Sequence, residues 1–355
     1  MRPLVPFVIL CAALAAEDGG ATSRQIGPFG RAPITGEPGP YVVGGYVEAT
    51  AGSVHDEVAG PNRLSGFDAV AGLEGMFRLV PEAIGVASVT ASTMTTEAIS
   101  VDEAYVRFDR SQAYIRLGRT HQWFGWERFD APELWRINKS YTYYNSGSLD
   151  GGTLGWRFTP EWRVEVCAAN EIITPRDTSP GKTGNDLGYG AKLRWDAGDG
   201  RTWDLTAFYD QQAAEDLTDG GYDDVAVVST WGEWRHIAGS PISAAVDLAY
   251  ADNPDGAQIF ALGALRMDGE LGWPGFVSVM ATWLEEAYDK PAREAAAAQQ
   301  LNLFGNERLE LAVSAFAYPT GDYRYRIGIE LRTLDSTVSG EDEHSIHLSA
   351  LAIIP

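Results

Sequence analysis

From residue 41 to the end of the chain, apolar and polar side chains alternate with period two in segment after segment. In DEAYVRFDR, Ala104, Val106 and Phe108 share one face while Glu103, Tyr105, Arg107 and Asp109 share the other. QAYIRLGR sets Ala113, Ile115 and Leu117 against Tyr114 and Arg116, and WRVEVCA sets Trp162, Val164 and Val166 against Arg163, Glu165 and Cys167. TLGWRF, LGYGAKLRW, WDLTAFYD, ISAAVDLAY, IFALGALRM, LELAVSAFAY, YRYRIGIELR and SIHLSALAI read the same way. Successive side chains of a strand point to opposite faces, so each segment predicts a strand with one apolar and one polar face. About sixteen such segments are present, each roughly long enough to cross a bilayer at a tilt.

A soluble β-sandwich also alternates, so the connections must decide. Short turns at Pro81-Glu82, Arg110 to Gln112, Pro160-Glu161, Ala197 to Gly200, Ala238 to Pro241 and Pro319 to Asp322 alternate with mostly longer links such as TSPGKTGND, AAEDLTDGGYDD, EEAYDKPAREAAAAQQ and LDSTVSGEDEH. This alternation puts short ends on one side and long ends on the other, as in an up-and-down barrel with short periplasmic turns and long external loops. Trp162, Trp195 and Trp203 flank the short turns, while Tyr209, Tyr250 and Trp283 lie toward the opposite strand ends, where aromatic rings would form two girdles. The polar faces carry Arg107, Arg116, Arg157, Arg163, Lys192, Arg194, Arg266, Arg324, Arg326 and Arg332 beside Glu103, Glu165, Asp204, Asp210, Asp247 and Glu330. An Arg or Lys facing hydrocarbon at midplane costs about 2–4 kcal/mol, so confinement of charge to one face implies that this face is wet.

One stretch breaks the rhythm. GRTHQWFGWERFDAPELWRINKSYTYYN, with SYTYYNSGSLDGG extending it, crowds Trp, Tyr and Phe among charges and forms the longest connection. Its aromatic content argues against disorder, and backbone outside a strand is tolerated at membrane depth only within protein or a wet cavity. The segment is therefore expected to fold into the lumen after the fifth strand. Its Glu127, Arg128, Asp130, Glu133, Arg136 and Lys139 would face Arg107 and Arg116 on the wall and narrow the pore.

The same residues carry a family resemblance. Glu103 to Val106, Gly118-Arg119, Gly125 to Glu127, Tyr143 to Asn145 and Gly155 match an EAYV-like strand, a strand ending in Gly-Arg, a Gly-x-Glu, a Tyr/Asn-rich segment and a Gly-containing strand. Over these 70 or so residues the chain resembles the outer-membrane β-barrel porins of the OmpL-like kind. The resemblance implies a barrel passing small solutes. The ending SALAIIP departs from the aromatic terminus of many such barrels, which bears on closure at sixteen strands.

Composition excludes some functions and frames others. A net charge of −22 is the wrong sign for nucleic acid. Arg2 followed by the apolar run Leu4 to Ala16 and the small-residue pattern Ala13-Leu14-Ala15 predicts a secretory signal over 1–16, then an extension over 17–40 and a barrel over 41–355. Loss of Cys11 with that signal leaves Cys167 alone, so no internal disulfide can form. His344 and His347 are three apart and fall on opposite strand faces, which disfavours a shared metal. GKTGND lacks the spacing of a phosphate loop, and PAREAAAAQQ can form a short helix in an outer loop.

The expectation is thus an all-β transmembrane up-and-down antiparallel barrel of about sixteen strands, with a long inserted loop after strand 5, in the outer membrane of a Gram-negative bacterium. It would be a passive diffusion channel with no cofactor and no reaction. Its partners would be outer-membrane lipid and small hydrophilic solutes, and a homotrimer is one assembly open to it. Two competitors are a secreted sandwich that binds carbohydrate and a barrel hydrolase using His121 or His236.

Overall fold

A computed structural model of the chain describes residues 41–56, 60–80, 82–92, 99–120, 125–126, 135–136, 149–169, 187–215, 222–253, 256–270, 272–288, 306–320, 325–336 and 343–354. Nearly all of them are strand. In chain order these are β1 (Tyr41–Asp56), β2 (Gly60–Val80), β3 (Ala83–Ser92), β4 (Ser100–Arg110), β5 (Ala113–Thr120), β6 (Leu149–Arg157), β7 (Trp162–Ala169) and β8 (Gly188–Asp196). They continue as β9 (Arg201–Glu215), β10 (Tyr222–Trp234), β11 (Ile242–Asn253), β12 (Gly256–Glu270), β13 (Pro274–Tyr288), β14 (Asn306–Ala317), β15 (Tyr325–Ser336) and β16 (Glu343–Ile354). Each pairs antiparallel with its sequence neighbours, and β16 pairs with β1 from Gly45↔Ile354 to Asp56↔Glu343, closing a barrel of sixteen strands. The ring is therefore closed at sixteen strands. The signal region, the 17–40 extension and the PAREAAAAQQ helix lie outside the described residues.

The predicted faces hold around the ring. Along β7, WRVEVCAA alternates without a break: Arg163, Glu165 and Cys167 are buried, while Val164 and Val166 are exposed. The same inversion recurs on β9, where Asp204, Thr206, Phe208 and Asp210 are buried against exposed Leu205 and Tyr209, and on β14 to β16, where Glu310, Glu330, Arg332 and His347 are buried and Leu311, Ile329, Leu331 and Leu348 exposed. A soluble sandwich would show the reverse, since its apolar face must pack on a second sheet. A continuous exposed apolar belt on a closed cylinder is far larger than the patches soluble monomers expose, and it matches a barrel whose outer surface meets lipid. Among the described residues no helix is long and apolar enough to cross a membrane.

Aromatic residues mark the short-turn rim. Trp162, Trp195 and Trp203 stand in register on β7, β8 and β9, with ring centroids 6.3 Å apart from Trp162 to each of the others. Backbone bonds chain the short turns together, among them Arg157 N–H to the Gln112 carbonyl (2.7 Å), Asp196 N–H to Glu161 (2.8 Å) and Arg235 N–H to Gly200 (3.0 Å).

The opposite edge is less regular than expected. Half of the AAEDLTDGGYDD segment is strand, because β9 runs to Glu215 and β10 begins at Tyr222. LDSTVSGEDEH is strand at its two ends, to Ser336 and from Glu343, and only residues 254–255 lie between β11 and β12. Once above the lipid, a strand needs no apolar face to keep its ladder, so polar sequence there reads as loop although the backbone stays paired. The result is a barrel of two heights. At about 3.3 Å per residue, the eight residues of β7 reach about 26 Å and the fifteen of β13 about 50 Å.

Candidate functional site

The lumen has two unlike walls, and the register defines both. On the low side, β4 to β8, one row runs Arg107↔Arg116↔Thr153↔Cys167↔Gly190 and another runs Arg157↔Arg163↔Arg194. The row between them contains Asp109, Tyr114, Gly155, Glu165 and Lys192. Asp109 pairs with Arg107 at 2.6 Å and Glu165 with Arg163 at 3.3 Å. Tyr114 lies across the strand between it and Glu165. Its hydroxyl donates to Glu165, and the Arg107 guanidinium stacks 4.3 Å above its ring. That crossing requires Gly155: a Cβ there would stand 2.3 Å from the Tyr114 ring. Lys192 stands 3.9 Å from Asp204 on β9.

The tall side, β10 to β15, presents aromatic and acidic side chains instead. Trp231, Phe260, Leu262, Phe276, Met280, Leu284 and Phe316 form one buried cluster with Trp126 and Trp135. These last two belong to the connection of residues 121–148 between β5 and β6, the longest in the barrel. Trp126 donates its backbone N–H to Asp247 Oδ2 at 2.7 Å and its indole N–H to Glu233 Oε2 at 3.1 Å. Trp135 meets Trp126 edge-on with centroids 5.0 Å apart and accepts a hydrogen bond at its carbonyl from Ser278 Oγ. The next residue, Arg136, is 1 % exposed and pairs with Glu310 on β14 and, at 3.6 Å, with Glu330 on β15. Ser314 Oγ donates to the other oxygen of Glu330 at 2.9 Å. Nearby, Arg266 stacks 3.8 Å over Phe276, and Arg326 pairs with Glu48 on β1 at 3.2 Å.

Of the residues expected to shape the pore, Arg107 and Arg116 point into the lumen from the low wall, and Arg136 is held against β14 and β15. Glu127, Arg128, Asp130, Glu133 and Lys139 lie outside the described residues, as do His121 and Arg324. Sequence reasoning missed Glu233 and Glu310, the carboxylates that receive Trp126 and Arg136. Both had a signal: each falls at the polar parity of its strand, flanked there by small or apolar residues.

Among the described residues His236, His344, His347 and Cys167 stand apart from one another. His236 is exposed in the turn between β10 and β11. His344 faces outward beside Thr333 and His347 faces inward, so the two histidines do occupy opposite faces. His347 Nε2 lies 3.0 Å from Ser345 Oγ, but no group among the described residues bonds its other ring nitrogen to orient it as a base. Cys167 is buried on the lumen face between Thr153 and Gly190.

No protein-family model matches this chain, and no curated protein matches it. Solved structures do. OprB of Pseudomonas putida, in its high-pH structure, is 10% identical, with 88% of this chain and 93% of that one covered at a TM-score of 0.63. OmpF of Salmonella typhi, in complex with daunomycin, is 11% identical over 87% of this chain and 97% of its own, with a TM-score of 0.62. An anion-selective porin from Comamonas acidovorans is 11% identical over 88% and 99%, at 0.60. At such identities the likeness is one of fold, and the fold this chain shares with them is the closed barrel of the outer-membrane porins.

Proposed function

We propose that this protein is an outer-membrane porin of a Gram-negative bacterium, a passive diffusion channel for small hydrophilic solutes, of the OmpL-like kind that its β4 to β6 motif resembles. One observation carries the reading: ionised side chains line the inside of a barrel whose outside is apolar, as Arg163 and Glu165 alternate with Val164 and Val166. Charges in a closed lumen are supported by water and by one another, and a wet lumen through an apolar shell is a solute path.

The two walls add a direction. Arg107, Arg116, Arg157, Arg163, Lys192 and Arg194 stand on the low side, while on the tall side Glu233, Asp247, Glu286, Glu310 and Glu330 outnumber Arg266, Arg326 and Arg332, with Asp204 and Asp210 on the adjoining β9. Opposed walls of opposite sign impose a transverse field that sorts solutes by size and charge. In this reading Arg107 and Arg116 face Glu127, Arg128, Asp130, Glu133 and Lys139 across the constriction, and Arg136 fixes the connection that carries them. No step of bond chemistry and no cofactor is part of it.

Purified protein reconstituted in planar bilayers is expected to give stepwise openings, and liposomes containing it should swell in small sugars. Inserted protein that stays silent, or a signal-free chain that remains compact and soluble without amphiphile, would sink the proposal. Cross-linking of the detergent-extracted protein reads whether barrels associate in threes.

A further inference from the structure

Among the described residues three histidines lie in strands, His55 on β1 and His344 and His347 on β16. The last two fall on opposite faces of β16, as period two demands, and share nothing. Barrel closure makes a different pair. At the seam where β16 meets β1, His55 stands directly opposite His344, one step below the Asp56↔Glu343 pair that ends the ladder on the side away from the short turns. No local pattern announces this, because the two residues come from the first and last strands and only the register of the closing pair joins them.

Residues directly opposite in an antiparallel pair share a face of the sheet, with Cβ atoms about 4.5–5.5 Å apart. Two nitrogens on one zinc ion lie about 3.3 Å apart when each bond is about 2.0–2.1 Å long, so imidazoles on such a pair converge on one ion by small rotations about χ1. The same row supplies an orienting group. Thr333 on β15 is the other register partner of His344, and its Oγ1 lies 3.4 Å from His344 Nδ1. Metal-binding histidines hold their second ring nitrogen against an oxygen in this way; when Nδ1 donates to the hydroxyl, Nε2 is left for the ion. Space is present as well. An open cavity of about 360 Å³ lies beside this row on the outer face, lined by Ser53, Leu311, Leu331, Thr333, His344 and Ile346. Its polar end has room for the waters that complete a coordination sphere.

We propose that His55 and His344 form a binding site for a first-row transition-metal ion of the zinc class, which ties the last strand to the first at the outer end of the closing seam. Neutral imidazole suits Zn²⁺, Cu²⁺ and Ni²⁺, whereas Mg²⁺ and Ca²⁺ take oxygen ligands. The site lies outside the lumen and is independent of what the channel passes. Its action is on the seam, since an ion held only by the folded barrel favours the closed ring by mass action.

Tag-free barrel in detergent, titrated calorimetrically with Zn²⁺ and unfolded in urea with and without the ion, tests it. The wild type should bind one equivalent saturably, and its unfolding midpoint should rise with Zn²⁺ and not with Mg²⁺. His344→Gln and His55→Gln should each abolish saturable binding and cancel the rise, and Thr333→Val, which keeps the shape, should weaken binding about tenfold. His236→Gln, in the exposed turn at the opposite rim, should bind as the wild type does. Binding equal in the wild type and His344→Gln, a loss with His344→Gln that His55→Gln does not share, or a wild-type midpoint indifferent to Zn²⁺ overturns the site. If either histidine variant fails to assemble, electron paramagnetic resonance of one equivalent of Cu²⁺ on the wild-type barrel decides: two nitrogen ligands support the pair, and one or none overturns it.

Discussion

The low wall of β4 to β8 and the tall wall of β10 to β15 are built by the same alternation, yet they solve opposite problems. The tall wall receives part of its own chain. Its lumen face combines large apolar side chains with carboxylates placed to accept the N–H groups of Trp126 and the guanidinium of Arg136. The low wall receives nothing among the described residues and stays small and basic, with Gly155, Thr153, Cys167 and Gly190 between its cations. Identical strand geometry therefore yields a docking face in one arc and an open face in the other, according to side-chain volume and sign alone.

The largest break in this contrast should come from Arg136. Removing one member of a buried ion cluster strands the others, and such losses cost about 3–5 kcal/mol. In Arg136→Ala, Glu310 and Glu330, both 0 % exposed, would lose the Arg136 guanidinium that pairs with both. Urea unfolding in lipid vesicles should show that loss, and single-channel conductance should rise as the connection loosens. Unchanged stability together with unchanged conductance would mean that the apolar cluster alone holds Trp126 and Trp135.

A smaller break belongs to the low wall. Gly155→Ala puts a methyl 2.3 Å from the Tyr114 ring, which must swing away and release Glu165. Overpacking of this kind costs about 1–3 kcal/mol. The clash involves one ring only, so in a Tyr114→Ala background the same substitution should be nearly neutral. A double-mutant cycle on unfolding midpoints measures the coupling, and additive effects would refute the contact.

How much of this was legible in the sequence follows from the physics of each part. Strand faces were readable because lipid enforces period two: the inward positions of Arg107, Arg116, Arg163, Lys192, Asp204, Asp247 and Glu330 all follow from parity. Strand ends toward the long-loop side were not readable, because above the lipid nothing distinguishes a paired polar residue from a looped one, and β9, β10 and β15 outran their apolar segments. The position of the connection after the fifth strand was readable from its length and aromatic content. Which wall Arg136 meets was not, since pairing across the lumen depends on barrel closure and leaves no local period in the chain. Gly155 shows the intermediate case: the resemblance singled out the position, and only the Tyr114 ring lying over it explains the need for glycine.

The smallest expected effect lies outside both walls, in the turn between β8 and β9. Arg201 pairs with Asp199 at 2.7 Å, both half exposed to solvent, and hydrogen bonds from Arg201 hold the Asp199 carboxyl below the usual carboxylate range. A depressed carboxylate pKa stabilises the folded state above the unfolded pKa and loses that contribution as pH falls through the folded one. Whatever the pair contributes is therefore fully present at neutral pH and fades only in acid. Exposed pairs are screened by water and salt, so Asp199→Asn should leave the unfolding midpoint at pH 7 where it was, at low and high salt alike. Arg136→Ala and Asp199→Asn each remove one member of an ion pair at similar distance, and the gap between their effects measures how far the lumen at the tall wall is from water. A drop for Asp199→Asn comparable to that for Arg136→Ala would place the turn, rather than the docking face, at the centre of the barrel's stability.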